Sequence, residues 1–209
     1  MEEYLNEQER WERVLAWLRE QGPWILGGVA VALAIFGGWH YWQNHVQQRD
    51  LAAANRYEQL IDAFTRNDIA GGMRQADELG KEFPATAYAD QANLAVARIQ
   101  VSTHQLDQAA ARLQQVLAAT KDSELALIAR LRLARVQLAQ GNADEALKTL
   151  DAAKPGAFAA RYAQVRGDAL LAKGDRDGAL KAYREARGDG ASTLDTALLD
   201  LKIGELAHS

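Results

Sequence analysis

The sequence predicts an all-α protein in which one membrane-spanning helix precedes a stack of helical hairpins. Three observations predict it. Of 209 residues, 41 are Ala and three are Pro; Ala carries the smallest helix penalty, and the β-branched residues that suit strands are sparse. A run of 28 residues, 21–48, carries no formal charge. Beyond it, small and large apolar residues recur at intervals of 33 to 37 positions, a period typical of repeated helical units. Composition also excludes several classes. Without cysteine there is no disulfide framework, no CxxC zinc or redox site and no cysteine nucleophile. With 24 Lys+Arg against 28 Asp+Glu the net charge is −4, which argues against nucleic-acid binding because phosphate neutralisation needs a basic face.

The first element is a tail over 1–22. Trp11, Val14, Leu15 and Leu18 recur at helical spacing with Trp17 beside them, and Gly22-Pro23 is expected to end that helix. Six acidic residues in the tail favour a protein partner over anionic lipid.

The second element, 23–43, is a transmembrane helix. Nineteen residues from Trp24 to Trp42 reach roughly 28 Å at ~1.5 Å each, close to the hydrocarbon thickness of a bilayer. Trp24 stands at one end and Trp39, Tyr41 and Trp42 at the other, where membrane interfaces favour aromatics. In water Gly27, Gly28, Gly37 and Gly38 would weaken such a helix. A cleavable signal peptide fits less well. Twenty-three residues precede Trp24, and bulky Trp39-His40-Tyr41-Trp42 stands where small residues are needed. Arg10, Arg13 and Arg19 before the run against Arg49 and Arg56 after it give a weak bias that keeps the tail inside.

The third element, 44–209, is a succession of amphipathic helices. Tyr57, Leu60, Ile61 and Phe64 mark one helix, and Met73, Ala76, Leu79, Gly80 and Phe83 a second ending at Pro84. Three copies of one arrangement follow: a small residue, an Ala twelve positions later, and a large apolar residue four further on. These are Ala97, Ala109 and Leu113; Ala134, Ala146 and Leu150; and Gly167, Ala179 and Tyr183. Gly141-Asn142 matches Gly174-Asp175 at the turn, and His104 takes the glycine's place in the first copy. Asn142 with Glu145 reads as a capping box. The arrangement resembles the tetratricopeptide repeat, a helical hairpin whose small residues let its helices approach; the resemblance implies a right-handed α-solenoid. Leu194, Leu198, Leu201, Ile203 and Leu206 supply a last helix to cap the stack. Nine helices after the anchor are expected.

Chemistry is sparse. His40, His45, His104 and His208 show no HExxH spacing. Gly174-Asp175-Arg176-Asp177-Gly178 places its glycine too early for a calcium loop and lacks the twelfth-position acid. Gly188-Asp189-Gly190 has no phosphate-loop continuation, and no GxSxG elbow occurs. The expectation is a non-enzymatic protein with no catalytic residue, metal, cofactor or small-molecule substrate. Stacked hairpins offer instead a surface lined by first helices on which a partner's peptide or helix can lie. One residue after each small marker stands a charge: Arg98, Arg135 and Asp168. These three are the candidate partner-binding residues, with the two arginines facing carboxylates or backbone carbonyls of the partner.

The short acidic tail, the Gly/Ala-rich span closed by Gly37-Gly38-Trp39-His40-Tyr41-Trp42-Gln43, and a repeat domain containing Leu131-Arg132-Leu133-Ala134-Arg135-Val136-Gln137 together resemble the YfgM family. So do Ala146-Leu147-Lys148-Thr149-Leu150-Asp151 and the stretch from Arg166 to Asp175. The resemblance implies a bacterial inner-membrane protein with a cytoplasmic N-terminus and a periplasmic repeat domain. It further implies an ancillary subunit of the SecYEG translocon, associated with a PpiD-like membrane-anchored isomerase, that passes emerging proteins to periplasmic chaperones. A link between the tail and a stress-response regulator is implied as well. A cell-envelope assembly or division scaffold with the same anchor and repeats is the alternative. Residues 1–48 carry three basic and six acidic residues, so the rest is nearly neutral, at 21 against 22. The missing cysteines suit a domain working in an oxidising compartment.

Overall fold

The computed structural model describes residues 2–84, 86–188 and 196–207 and, among the first thirty, the side chains of 11, 12, 15, 17, 24 and 28 only. The chain divides into two units, Met1–Leu51 and Ala52–Ser209. The first helix, α1, covers Glu2–Thr65. The break expected at Gly22-Pro23 is not found, and α1 continues through it. Proline removes one backbone donor and strains one turn, a local cost that a helix this long absorbs. In the first unit the described apolar side chains are exposed, among them Trp11, Trp17, Val31, Leu33, Ile35 and Phe36. Among the described residues no helix is long and apolar enough to cross a membrane. The side chains of 25–27, 29 and 30, which open the apolar run, and those of Val14 and Leu18 in the tail lie outside the described residues.

The second unit is a stack of helical hairpins. The end of α1 from Ala52 leads into α2 (Ile69–Glu82). Then come α3 (Ala87–Ser102) with α4 (Leu106–Ala119), α5 (Ser123–Ala139) with α6 (Ala143–Asp151), and α7 (Ala159–Ala172) with α8 (Arg176–Gly188). A short 3-10 turn, Gly156–Phe158, precedes α7, and α9 (Thr196–Ala207) packs on α8. The end of α1 is thus the first of the nine helices expected, continuous with the segment that precedes it. Leu194 lies outside the described residues.

The sequence pattern explains the layers. Second helices bury one narrow stripe, as α4 does with Ala109, Leu113 and Val116 at i, i+4 and i+7. First helices between two hairpins are covered on more sides, and α5 buries Ala129, Leu131, Leu133, Ala134 and Val136. Each apolar cluster draws on successive hairpins. Leu94, Ala97, Leu113, Ala129 and Leu133 share one, and Leu131, Ala146, Leu150, Tyr162 and Val165 the next. The core is therefore continuous along the stack, with each hairpin supplying half of two layers.

All nine repeat markers are buried. Their turns agree in conformation as well as in sequence. Gly141 and Gly174 have φ of 82° and 83°, and His104, in the glycine's place, adopts the same left-handed region at 59°. In each turn two backbone bonds close the helix end, for example Gly141 N–H to Leu138 C=O and Asn142 N–H to Gln137 C=O, at 2.9 and 2.8 Å. The same pair recurs at Asn67-Asp68, where Asn67 has φ of 62°. Asn67 precedes His104 by 37 residues, as His104 precedes Gly141. The first hairpin is therefore a full repeat, and shifting the markers back by 37 gives Leu60, Gly72 and Ala76, all buried. Its volumes are inverted. The large residue stands on the first helix and the glycine on the second, where Phe64 lies so close that a Cβ at Gly72 would be 2.2 Å from its ring.

Side-chain caps occur at Asp68, Thr86 and Asp122, each accepting a bond from a first-turn backbone N–H. The expected capping box at Asn142 and Glu145 is a correction: Asn142 is the N-cap of α6, but its side chain makes no capping bond. Glu145 instead accepts from Lys148 Nζ at 2.7 Å, and ψ of 65° at Asn142 lies short of the extended cap geometry. Ion pairs strap the hairpins on their outer side, including Arg112 to Asp77 at 3.1 Å and Lys173 to Asp144 at 2.5 Å. Solvent screens such surface pairs, so they fix register more than they drive folding.

Candidate protein interface

Local helix geometry brings two of the three predicted residues together. Arg98 on α3 and Arg135 on α5 line one pocket of about 320 Å³, whose other walls are Ala97, Val101, Leu113, Arg132 and Val136. Because Leu113 belongs to α4, the opening between α3 and α5 reaches down to the second layer of helices. A second cleft of about 600 Å³ shares Arg98 and Arg132 with the first and adds Tyr57, Ile61, Phe64 and Leu94. The two form one groove along the first helices of three successive hairpins. Ile61 and Val101 leave 36% and 39% of their surface exposed there, so the groove joins apolar floor to cationic rim.

Arg132 is the residue the repeat pattern misses. It lies three positions, about one helical turn, before Arg135 on α5, and its Nη1 donates to the Leu94 carbonyl of α3 at 3.4 Å. Desolvation first, and then repulsion from Arg98 and Arg135, push its guanidinium below the ordinary arginine range. Arg135 is pushed down mainly by desolvation and by Arg161, with Asp168 acting the other way. Arg132 and Arg135 stay charged, since arginine titrates far above physiological pH. Each is more than a third exposed, so the cluster is a partly desolvated surface and not a buried charge. Among the described residues none of the three has a carboxylate within ion-pairing distance.

Asp168, at the same repeat register on α7, is held differently. It accepts the Tyr183 hydroxyl at 2.7 Å and pairs with Lys202 of α9 at 2.5 Å. Lys202 also lies 5.2 Å from the Tyr183 ring centroid. The structure thus joins Arg98 and Arg135 in one groove and ties Asp168 to the capping helix. Trp24, Trp39 and Trp42 are exposed, at 81%, 68% and 68%, in the other unit. Among the described residues no three His, Asp or Glu side chains are grouped to hold a metal ion.

Stacked hairpins with a groove along their first helices define a helical repeat protein of the solenoid class. A model described as a tetratricopeptide repeat-like domain matches residues 15–208. Two solved structures share the fold at TM-score 0.55, a double mutant of MamA RS-1 and MamA 41-end from Desulfovibrio magneticus RS-1. They are 16% and 17% identical, and each alignment covers 74% of this chain and 94% of theirs. Relatives named ancillary SecYEG translocon subunit match nearly end to end. The protein from Escherichia coli (strain K12) is 34% identical across 99% of this chain and 100% of its own. That from Aggregatibacter actinomycetemcomitans is 31% identical across 97% and 98%. The chain belongs to the YfgM family of tetratricopeptide-repeat-like proteins, whose members carry that name.

Proposed function

We propose that this chain is a non-enzymatic scaffold of the SecYEG translocon, anchored in the bacterial inner membrane by the segment from Trp24 to Trp42. The observation that carries the reading is the pairing of near end-to-end similarity to ancillary translocon subunits with a groove suited to holding another protein. The tail, 1–22, stays in the cytoplasm and the repeat unit faces the periplasm, as the three-to-two arginine bias and the absent cysteines favour. A single span confines the repeats beside the channel exit, which raises their effective concentration near emerging chains. A PpiD-like isomerase and periplasmic chaperones are the partners that receive those chains. Immunopurification of the full chain from native membranes in mild detergent tests this. The channel subunits should co-purify, and a preparation that yields only envelope-assembly or division proteins would replace this reading with the alternative.

A further inference from the structure

The charge of the groove is unbalanced in a unit whose total charge is nearly even. Several arginines outside it meet carboxylates: Arg56 meets Glu78 at 3.1 Å, Arg112 meets Asp77 at 3.1 Å, Arg166 meets Asp151, and Arg187 meets Asp200 at 2.8 Å. At the groove the pattern stops. Arg98, Arg132 and Arg135 converge on one pocket without a carboxylate, Arg161 adds its charge beside Arg135, and Asp168 is engaged by Tyr183 and Lys202. Like charges this close repel, and after desolvation that repulsion is what holds the Arg132 guanidinium below the ordinary arginine range. Such a cluster is complementary to an anion, and arginine's planar fork suits a carboxylate in particular. The floor beneath is apolar, formed by Ala97, Val101, Leu113 and Val136. At about 320 Å³ it falls within the ~300–1,000 Å³ range of ligand clefts and has room for one bulky side chain.

We propose that the groove is a receptor for an acidic peptide segment, whose bulky apolar side chain fills the pocket against Val101 and Leu113 while neighbouring carboxylates lie on Arg98, Arg132 and Arg135. This rests on reading the groove as the scaffold's protein-binding surface and names the chemistry of its occupant. A peptide fits better than a lipid headgroup. The arginines border an elongated cleft that runs on past Ile61 and Phe64, which an extended chain can follow and a compact headgroup cannot. Selection would be twofold, with apolar burial supplying affinity and the guanidinium groups rejecting basic segments.

The test uses the full chain in non-ionic detergent and a fluorescein-labelled peptide carrying one Phe flanked by Glu in a Gly/Ser background. Fluorescence anisotropy compares it with versions in which Gln replaces Glu, Lys replaces Glu, or Ala replaces Phe. The Glu peptide should bind at least about tenfold more tightly than each of the others, about 1.4 kcal/mol. That preference should fade toward ~1 M salt as the Debye length shrinks to about 3 Å. Arg132→Gln, and Arg98→Gln with Arg135→Gln, should each erase the preference for Glu over Gln with thermal melting unchanged. Should these variants fail to fold, the peptide series and its salt dependence on the unaltered protein decide. Equal binding of the Glu and Gln peptides, or binding by neither, would overturn the proposal. So would arginine-dependent binding of phosphatidylglycerol vesicles that excludes the peptide. A failed peptide series with channel subunits still co-purifying removes only this proposal; peptide selectivity without co-purification removes the translocon reading and leaves the receptor.

Discussion

The ring of Tyr183 lies against Gly167 so closely that a Cβ at position 167 would stand 2.5 Å from Cε1. Both residues are buried, and this contact is how α7 and α8 approach one another in the last hairpin. Gly167→Ala must therefore displace a packed ring, at about 1–3 kcal/mol, while the better helix propensity of Ala returns up to ~1 kcal/mol. A net loss of about 1–2 kcal/mol in chemical denaturation is expected. Gly204→Ala in α9, where nothing lies within 4 Å, should go the other way by about 0.5–1 kcal/mol.

Alkaline stability reports the Tyr183 hydroxyl. Burial first, and then its bond to the Asp168 carboxylate, push its pKa well above the ordinary tyrosine range. A raised folded-state pKa gives stability that is fully present below the unfolded value of about 10 and is lost as pH rises beyond it. Tyr183→Phe should cost about 1–3 kcal/mol near neutrality through the lost bond to a charged acceptor. Thermal melting of the two proteins from neutral pH upward should show that gap constant to about pH 9 and closing above about pH 10.

Gln137 leaves its Oε1 buried with no hydrogen-bond partner. Leu170 stands one repeat later at the same register, so the stack accepts an apolar side chain there. Gln137→Leu should raise stability by about 1–2 kcal/mol, the desolvation cost of an unpaired amide oxygen. Gln100→Leu should gain less, because Gln100 Nε2 donates to Gln108 Oε1 at 3.4 Å and that bond is lost with it. Denaturant midpoints of the two variants check the order.

The absence of cysteine makes topology measurable. Lys121→Cys, on an exposed loop of the repeat unit, should react with a membrane-impermeant maleimide in intact spheroplasts, while Gln8→Cys in the tail should react only after lysis. The reverse pattern would invert the proposed orientation.

Much of the stack was legible in the sequence because its constraint is local. Small residues twelve positions apart fix a hairpin's close approach, and a left-handed turn residue fixes its reversal, so Ala134, Ala146 and Gly141 announce themselves. The first hairpin obeys the same geometry with inverted volumes, Leu60 on its first helix and Gly72 and Ala76 on its second, and uses Asn67 at the turn. A search for small-Ala-large passes over it, whereas the turn spacing of 37 residues would have found it. Arg98 and Arg135 were visible because they recur at one register. Arg132 was not, since Ala95 and Val165 occupy its register in the neighbouring copies. Asp168 was placed by its register, but its engagement by Lys202, 34 residues away, follows from where α9 packs. The Gly22-Pro23 break failed because a proline's local cost does not outweigh helix on both sides.

Photocrosslinking in native membranes tests the central claim, a translocon scaffold that binds through this groove, most directly. Photoreactive residues at positions 98 and 135 should form adducts with translocon subunits or proteins bound to them, and a residue at position 148, on the exposed side of α6, should not. Adducts only with division or outer-membrane assembly proteins, or equal adducts from position 148, would contradict it.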